Sequence, residues 1–93
     1  MIYTLSMDSQ KLMNSIGFVK VSPYRTKTIK YIGDGMKMPS EVGKHLDVRT
    51  SQASNILKDL KERDLVICIN EDLRKGRLYQ LTELGHQVLE HLD

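Results

Sequence analysis

The sequence lacks the features that mark secreted and membrane-spanning proteins. It has one cysteine, Cys68, which excludes an internal disulfide and fits a reducing cytoplasm. Its opening residues lack a basic start followed by a long apolar run, so no signal peptide is expected. No apolar stretch approaches the roughly 20 residues needed to cross a membrane. We therefore expect a cytoplasmic protein with no membrane partner.

The chain also lacks the residue clusters that catalysis and metal binding require. Its histidines are His45, His86 and His91, and none belongs to a nucleophile–base pair, a phosphate-binding loop or a metal motif. His86 and Glu90 are four residues apart and would share one face of a helix, but a zinc site usually has three or four ligands. We therefore expect no enzyme, no cofactor and no metal. A metal sensor using His86 and Glu90 is the weaker alternative.

The composition is that of one small domain. A chain of 93 residues is enough for a single domain, and 40% apolar residues suffice for one compact core. The formal net charge is +2, a mildly basic value that does not by itself indicate a nucleic-acid partner. The position of the charges along the chain therefore matters more than their sum.

The stretch 38–65 predicts two short helices joined by a tight turn. Pro39 suits the first position of the first helix, and Asp47 is among the few residues that tolerate the left-handed conformation of such a turn. Apolar residues at three- and four-residue spacing give each helix an inner face. This arrangement is a helix-turn-helix. Its apolar set is Val42, Leu46, Val48, Ala53, Ile56, Leu57, Leu60 and Leu65.

The outer face of the second helix, predicted over residues 50–63, is unusual in composition. Serine, threonine and asparagine are poor helix formers, and a merely solvated face would favour glutamate, lysine and arginine. Hydrogen bonding to base edges in a major groove is one reason for such a cluster. The polar residues near the start of this helix are Thr50, Ser51, Gln52, Ser54 and Asn55.

Two segments precede this unit. Residues 1–21 form an N-terminal arm in which Leu12, Met13 and Ile16 have the spacing of a short helix and Gly17 weakens it. Residues 18–21 after it are either the last helical turn or a short extended lead-in. Such an arm either packs on the core or meets a second subunit. Ser22 and Pro23 then open a helix that ends at residues 33–35 and carries a basic face, which is either solvated or turned toward phosphate.

A hairpin with a basic loop is predicted after the helix-turn-helix. Residues 65–69 and 77–81 have strand-like patterns, and a polar loop separates them. Two strands with such a loop form a wing, which we place at residues 70–77. Its basic residues are Arg74, Lys75 and Arg77.

A last helix is predicted after the hairpin. Thr82 is a suitable cap, and apolar residues follow at helical spacing. Gly85 within this helix costs about 1 kcal/mol relative to alanine, which suggests close packing against a neighbour.

The order helix, short strand at residues 36–38, helix-turn-helix, hairpin and helix resembles the winged-helix fold. The chain is similar to small archaeal-type winged-helix transcriptional regulators related to the MarR and ArsR groups, over roughly residues 20–92. The segments that carry the resemblance are Ser22-Pro23-Tyr24-Arg25, Met38-Pro39-Ser40-Glu41-Val42, residues 51–60, Leu65-Val66 and residues 74–85.

The resemblance implies a mainly α fold with a small β-hairpin (α+β), with a winged helix-turn-helix domain over residues 22–93. It also implies sequence-specific binding of double-stranded DNA as a transcriptional regulator, with the helix at 50–63 in the major groove and the wing on the backbone or minor groove. The implied base contacts are Thr50, Ser51, Ser54 and Asn55. The implied backbone and wing contacts are Arg25, Arg49, Lys58, Arg74, Lys75 and Arg77.

The sequence departs from this family pattern at three positions. Met38 stands where a hydroxyl cap is usual, so that cap is missing or moved. Asp47 replaces the usual turn glycine. Arg49 falls where serine or threonine is common, and could instead contact a phosphate.

One alternative keeps the fold and changes the function. Winged helices also serve as protein-interaction modules, and acidic residues near the proposed contact surface favour that reading. Those acidic residues are Asp59, Glu62, Asp64, Glu71 and Asp72.

We further expect a homodimer, since two-fold operators are the common solution for such small DNA-binding domains. The N-terminal arm and the last helix are the candidate interfaces.

Overall fold

The computed structural model describes the backbone of residues 2–92 and the side chains of residues 9–92. Within this part, the fold is mainly α with one small hairpin, as the sequence predicts. No described helix is long and apolar enough to cross a membrane. The elements in chain order are α1 (Ile2–Lys20), α2 (Pro23–Ile32), α3 (Pro39–Leu46), α4 (Thr50–Glu62), β1 (Val66–Cys68), β2 (Tyr79–Leu81) and α5 (Glu83–Glu90).

The N-terminal arm forms one helix that runs through Gly17 and ends at Lys20. Residues 18–20 are therefore its last turn. Val19 is fully buried, and Leu12, Ile16 and Phe18 pack against the core from partly buried positions. Of the two roles open for the arm, it fills at least the first, because it completes the core.

Helix α2 begins and ends where predicted. The hydroxyl of Ser22 accepts a hydrogen bond from the backbone N–H of Arg25 at 3.3 Å, and Pro23 takes the first helical position. Gly33 ends the helix with a φ of 51°, a conformation that residues with a side chain rarely adopt.

The turn between α3 and α4 depends on two residues. Asp47 is left-handed, with φ 60° and ψ 46°, as predicted. The N–H of Val48 donates to the carbonyl of Gly43 at 2.9 Å, and a Cβ at Gly43 would lie 3.0 Å from the carbonyl oxygen of Val48. Glycine therefore allows the chain to fold back tightly onto α3.

The cap of α3 has moved from Met38 to a residue inside the helix. The carboxylate of Glu41 accepts a hydrogen bond from the backbone N–H of Met38 at 2.8 Å. This contact is one half of a capping box. The thioether of Met38 makes no cap hydrogen bond, so the hydroxyl half is absent.

The hairpin is shorter than the sequence predicts. Strands β1 and β2 are antiparallel, with Val66 opposite Leu81 and Cys68 opposite Tyr79. The predicted strand 65–69 therefore loses one residue at each end, and the predicted strand 77–81 loses its first two residues. Lys37 pairs with Tyr79 on the other side of β2 through two backbone hydrogen bonds, of 3.0 and 2.9 Å. The predicted strand at 36–38 is thus a single bridging residue, which ties the loop before α3 to the hairpin.

One core joins all five helices to the hairpin. Helices α2 to α5 each contribute the inner face that the spacing of their apolar residues predicts, and α1 contributes Val19. The buried apolar residues are Val19, Ile29, Ile32, Val42, Leu46, Ala53, Leu57, Leu60, Leu65, Val66, Tyr79, Leu81 and Val88.

Helix α5 packs so closely on the start of the hairpin that only glycine fits at position 85. A Cβ there would overlap the carbonyl oxygen of Leu65 and lie 3.2 Å from the Cβ of Leu81. The hydroxyl of Thr82 fixes the same corner, since it accepts from the N–H of Gly85 at 3.0 Å and donates to the carbonyl of Asp64 at 2.6 Å. The predicted cap and the predicted close packing are both confirmed.

Substitution Gly85→Ala is therefore expected to destabilise the protein, although alanine is the better helix former. Overpacking of this kind typically costs about 1–3 kcal/mol, which exceeds the gain in helix propensity of about 1 kcal/mol. Gly17→Ala is the matched control, because a Cβ at Gly17 has nothing within 4 Å. Urea unfolding measures both free energies; a Gly85→Ala variant as stable as Gly17→Ala would contradict the packing described.

Candidate nucleic-acid interface

A groove of about 660 Å³ lies between α4, the start of α3 and the wing. The polar face of α4 forms one wall and the basic end of the wing forms the other. The groove is lined by Met38, Pro39, Ser40, Thr50, Ser54, Asn55, Lys58, Lys61, Arg74, Lys75, Gly76, Arg77 and Tyr79.

The fold brings most of the predicted contact residues together in this groove. Three of the four predicted base readers line it, and so do four of the six predicted backbone and wing contacts. The predicted contacts that line it are Thr50, Ser54, Asn55, Lys58, Arg74, Lys75 and Arg77.

Three predicted contacts lie elsewhere. Ser51 and Arg49 are exposed at the start of α4 but do not line the groove. Arg25 is engaged with α1: its guanidinium donates to the carbonyl of Phe18 at 2.9 Å and lies 3.8 Å from the centre of the Phe18 ring. Arg63 lies 4.1 Å from the centre of the same ring. The geometry therefore gives Arg25 a structural role in joining α2 to α1, and its phosphate contact stays a prediction.

The groove is strongly basic although the whole chain is almost neutral. Five lysine and arginine side chains line it, and no aspartate or glutamate does. The acids that weakened the case for DNA lie outside: Asp64, for example, has a carboxylate oxygen 3.6 Å from the ammonium of Lys11 on α1. The fold thus separates the charges that the sequence mixes.

Lys61 is the one basic residue lining the groove that the sequence analysis did not predict as a contact. It follows Ser54 by seven positions and Lys58 by three, so the helical period places all three on one face of α4. That spacing was visible in the sequence, but the mixture of acids and bases at the end of the helix obscured it.

The wing owes its shape to two side chains. The side-chain oxygen of Asn70 accepts from the N–H of Leu78 at 2.8 Å, and its amide nitrogen donates to the carbonyl of Gly76 at 3.2 Å. Arg77 donates from Nε to the carbonyl of Leu73 at 2.6 Å and from Nη2 to the carbonyl of Glu71 at 3.0 Å. Two of the guanidinium nitrogens of Arg77 are therefore bonded inside the wing, whereas the side chains of Arg74 and Lys75 are exposed.

An ion pair between Lys61 and Glu71 links α4 to the wing. The hydrogen bond between the two raises the pKa of the Lys61 ammonium above its usual value. The same hydrogen bond lowers the pKa of the Glu71 carboxyl. Both groups are therefore charged at neutral pH.

Among the residues whose side chains are described, no group of three or more histidine, cysteine, aspartate or glutamate residues could hold a metal ion. His86 lies near Asp34, with 3.8 Å between Nδ1 and the carboxylate. Cys68 is partly buried, and its thiol lies 3.5 Å from the side-chain oxygen of Asn70.

Comparison with solved structures identifies the fold. No protein-family model and no curated protein matches the sequence. The MepR–DNA complex of S. aureus superposes with a TM-score of 0.69 and 19% identity, over 97% of this chain and 77% of that one. The fold is a winged helix-turn-helix.

Two further neighbours agree. The multiple antibiotic-resistance repressor MarR of Listeria monocytogenes gives a TM-score of 0.68 at 12% identity, over 96% of this chain and 61% of that one. The homodimeric winged helix-turn-helix DNA-binding domain of Mb0332 from Mycobacterium bovis, a possible ArsR-family regulator, gives 0.67 at 17% identity, over 94% and 79%. The resemblance to MarR- and ArsR-type proteins is thereby confirmed for the fold.

Substitution Asn70→Ala is expected to loosen the wing without unfolding the domain. It removes the acceptor for the N–H of Leu78 and the donor to Gly76, and a lost hydrogen bond typically costs about 1 kcal/mol. The amide of Leu78 should then exchange with deuterium faster, as followed by NMR. Asn55→Ala, which changes an exposed asparagine on α4, should leave that rate unchanged. Equal exchange at Leu78 in wild type and Asn70→Ala would contradict this account of the wing.

Proposed function

We propose that the chain binds double-stranded DNA in a sequence-specific manner and acts as a transcriptional regulator. The observation that carries the proposal is the groove, in which five basic side chains and no acid lie beside the short polar side chains of α4. Basic groups pair with phosphates, and hydroxyl and amide groups read base edges.

In the proposed complex, α4 lies in the major groove, which is wide enough to admit a helix. Asn55 is the strongest candidate for a specific contact, because asparagine can bond adenine through two hydrogen bonds. Thr50 and Ser54 line the same wall and Ser51 lies beside them. Their hydroxyl groups are short, so α4 must approach the base edges closely.

The wing supplies the second contact. Arg74 and Lys75 are exposed at the opposite wall of the groove, where they can pair with phosphates or enter the minor groove. Their charge supplies affinity that does not depend on sequence. The MepR structure among the neighbours is a complex with DNA, which supports this use of the fold.

A protein-interaction module is the competing function. It was favoured by the acids near the contact surface, and none of these acids lines the groove. One neighbour is named as a repressor and another as a possible transcriptional regulator, which supports a regulatory and non-enzymatic role. We also propose a cytoplasmic location, because the single cysteine, Cys68, fits a reducing compartment.

Binding to duplex DNA is expected to weaken steeply as salt rises. Each phosphate contact adds about 0.9 to the slope of log K against log salt concentration, so Arg74→Ala and Lys75→Ala should each lower the slope by about that amount. Lys20→Ala, which removes one exposed positive charge outside the groove, is the matched control. Fluorescence anisotropy of a labelled duplex over a salt series measures all four proteins.

Asn55→Ala belongs in the same assay, with a selected duplex and a random one. The variant should lose about 1–3 kcal/mol of discrimination between them and keep the wild-type salt slope. Wild-type binding that ignores salt, or that survives both wing substitutions unchanged, would contradict the proposed interface.

We also propose that the protein acts as a homodimer through α1. The apolar residues of α5 are used mainly inside the domain, since Val88 is buried and Leu84, Leu89 and Leu92 pack on the core. Met13 on α1, by contrast, is 69% exposed. The Mb0332 domain with the same fold is homodimeric, which supports a dimer here.

Sedimentation equilibrium tests this assignment. Wild type should have the mass of a dimer, and Met13→Glu should shift it toward the monomer because the interface would bury a charge. Met36→Glu is the matched control, since Met36 is an exposed methionine outside α1. A monomeric wild type at high concentration would exclude the dimer, and an unchanged Met13→Glu dimer would exclude this face of α1.

A further inference from the structure

One of the five basic side chains in the groove already has an acidic partner. Lys61 lines the groove, and its ammonium is paired with the carboxylate of Glu71 in the wing. Glu71 itself does not line the groove. A phosphate that approaches Lys61 must therefore compete with a carboxylate of the same protein.

The pair is placed where DNA could break it. The side chains of Lys61 and Glu71 are 44% and 54% exposed, and an exposed ion pair is weak because water and salt screen it. A duplex carries closely spaced phosphates, whose pairing with lysine releases condensed counterions. The phosphates would also repel the carboxylate of Glu71.

The shape of the wing does not depend on this pair. Asn70 bonds both Leu78 and Gly76, and Arg77 bonds two carbonyls of the loop. These contacts stay in place when Glu71 loses its charge, because Arg77 bonds the backbone carbonyl of Glu71 and not its carboxylate. Loss of the Glu71 charge should therefore change DNA binding without changing the shape of the wing.

We infer that Glu71 competes with DNA phosphate for Lys61 and so limits the affinity and the salt dependence of DNA binding. The inference rests on the proposed function of the groove. In the free protein the charge of Lys61 is paired with the charge of Glu71. A DNA phosphate can pair with Lys61 only when that ion pair breaks. Because phosphate contacts carry no sequence information, Glu71 restrains binding to every duplex alike.

The test is the salt dependence of binding to a random duplex, measured by anisotropy between about 50 and 200 mM salt. Glu71→Gln should bind several-fold more tightly at the low end. Its slope should be steeper by about 0.9, so that the fourfold rise in salt costs it about 3.5-fold more affinity than wild type. The same variant should gain equally on a selected duplex.

Two further variants distinguish competition for Lys61 from a general effect of the protein's net charge on DNA binding. Asp72→Asn removes the same charge one residue along the loop, from an exposed side chain that forms no ion pair among the described residues; its slope should match wild type. Lys61→Gln should reverse the gain when combined with Glu71→Gln, and should change the slope less in the wild-type background. Thermal unfolding of each variant checks that all are folded.

The outcomes distinguish the possible failures. A Glu71→Gln slope equal to that of wild type, or a gain matched by Asp72→Asn, would overturn the inference while DNA binding stands. A loss of affinity in Glu71→Gln would show that the ion pair positions the wing, which also overturns it. Wild type that fails to bind, or binds without salt dependence, would overturn the proposed function and this inference with it.

Discussion

The tight packing of α3 against the turn that leads into α4 is the constraint on which the site depends. Asp47 takes a left-handed conformation and Gly43 leaves room for the carbonyl of Val48, so the chain reverses within a few residues. That reversal fixes which face of α4 meets the core. Ala53 and Leu57 are buried as a result, and the short polar side chains on the other face are presented to solvent. The position of the polar face of α4 is thus a consequence of how the turn is built.

The hairpin completes the site, because it brings basic side chains of the wing beside those of α4 and leaves the neighbouring acids outside the groove. Along the sequence, acids and bases alternate near the end of α4 and in the wing, and they sum to almost nothing. In the folded chain five of these bases line one groove, and none of the acids of these two segments does. A net charge of +2 therefore says little about the local potential, which depends on where the fold places each group. Among the residues whose side chains are described, Glu71 is the one acid that forms an ion pair with a groove lysine.

Local chemistry made most of the fold predictable from the sequence, including the Ser22 and Thr82 caps, the turn at Asp47 and the tight fit at Gly85. Each depends on neighbours along the chain or on a residue type with few other uses. Contacts between distant residues were not predictable. The Arg25–Phe18 contact and the Lys61–Glu71 pair depend on how α1 and the wing pack. The ends of the strands were also misjudged, because the apolar pattern continues beyond the paired residues.

The central claim is that α4 and the wing form one DNA-binding surface. NMR titration of the labelled protein with a duplex tests it most directly, because each backbone amide reports separately on its surroundings. We predict that the shifts concentrate in the start of α3, the outward face of α4 and residues 70–77, while α5 changes little. Shifts confined to α1 and α5, or no shifts at all at low salt, would contradict it.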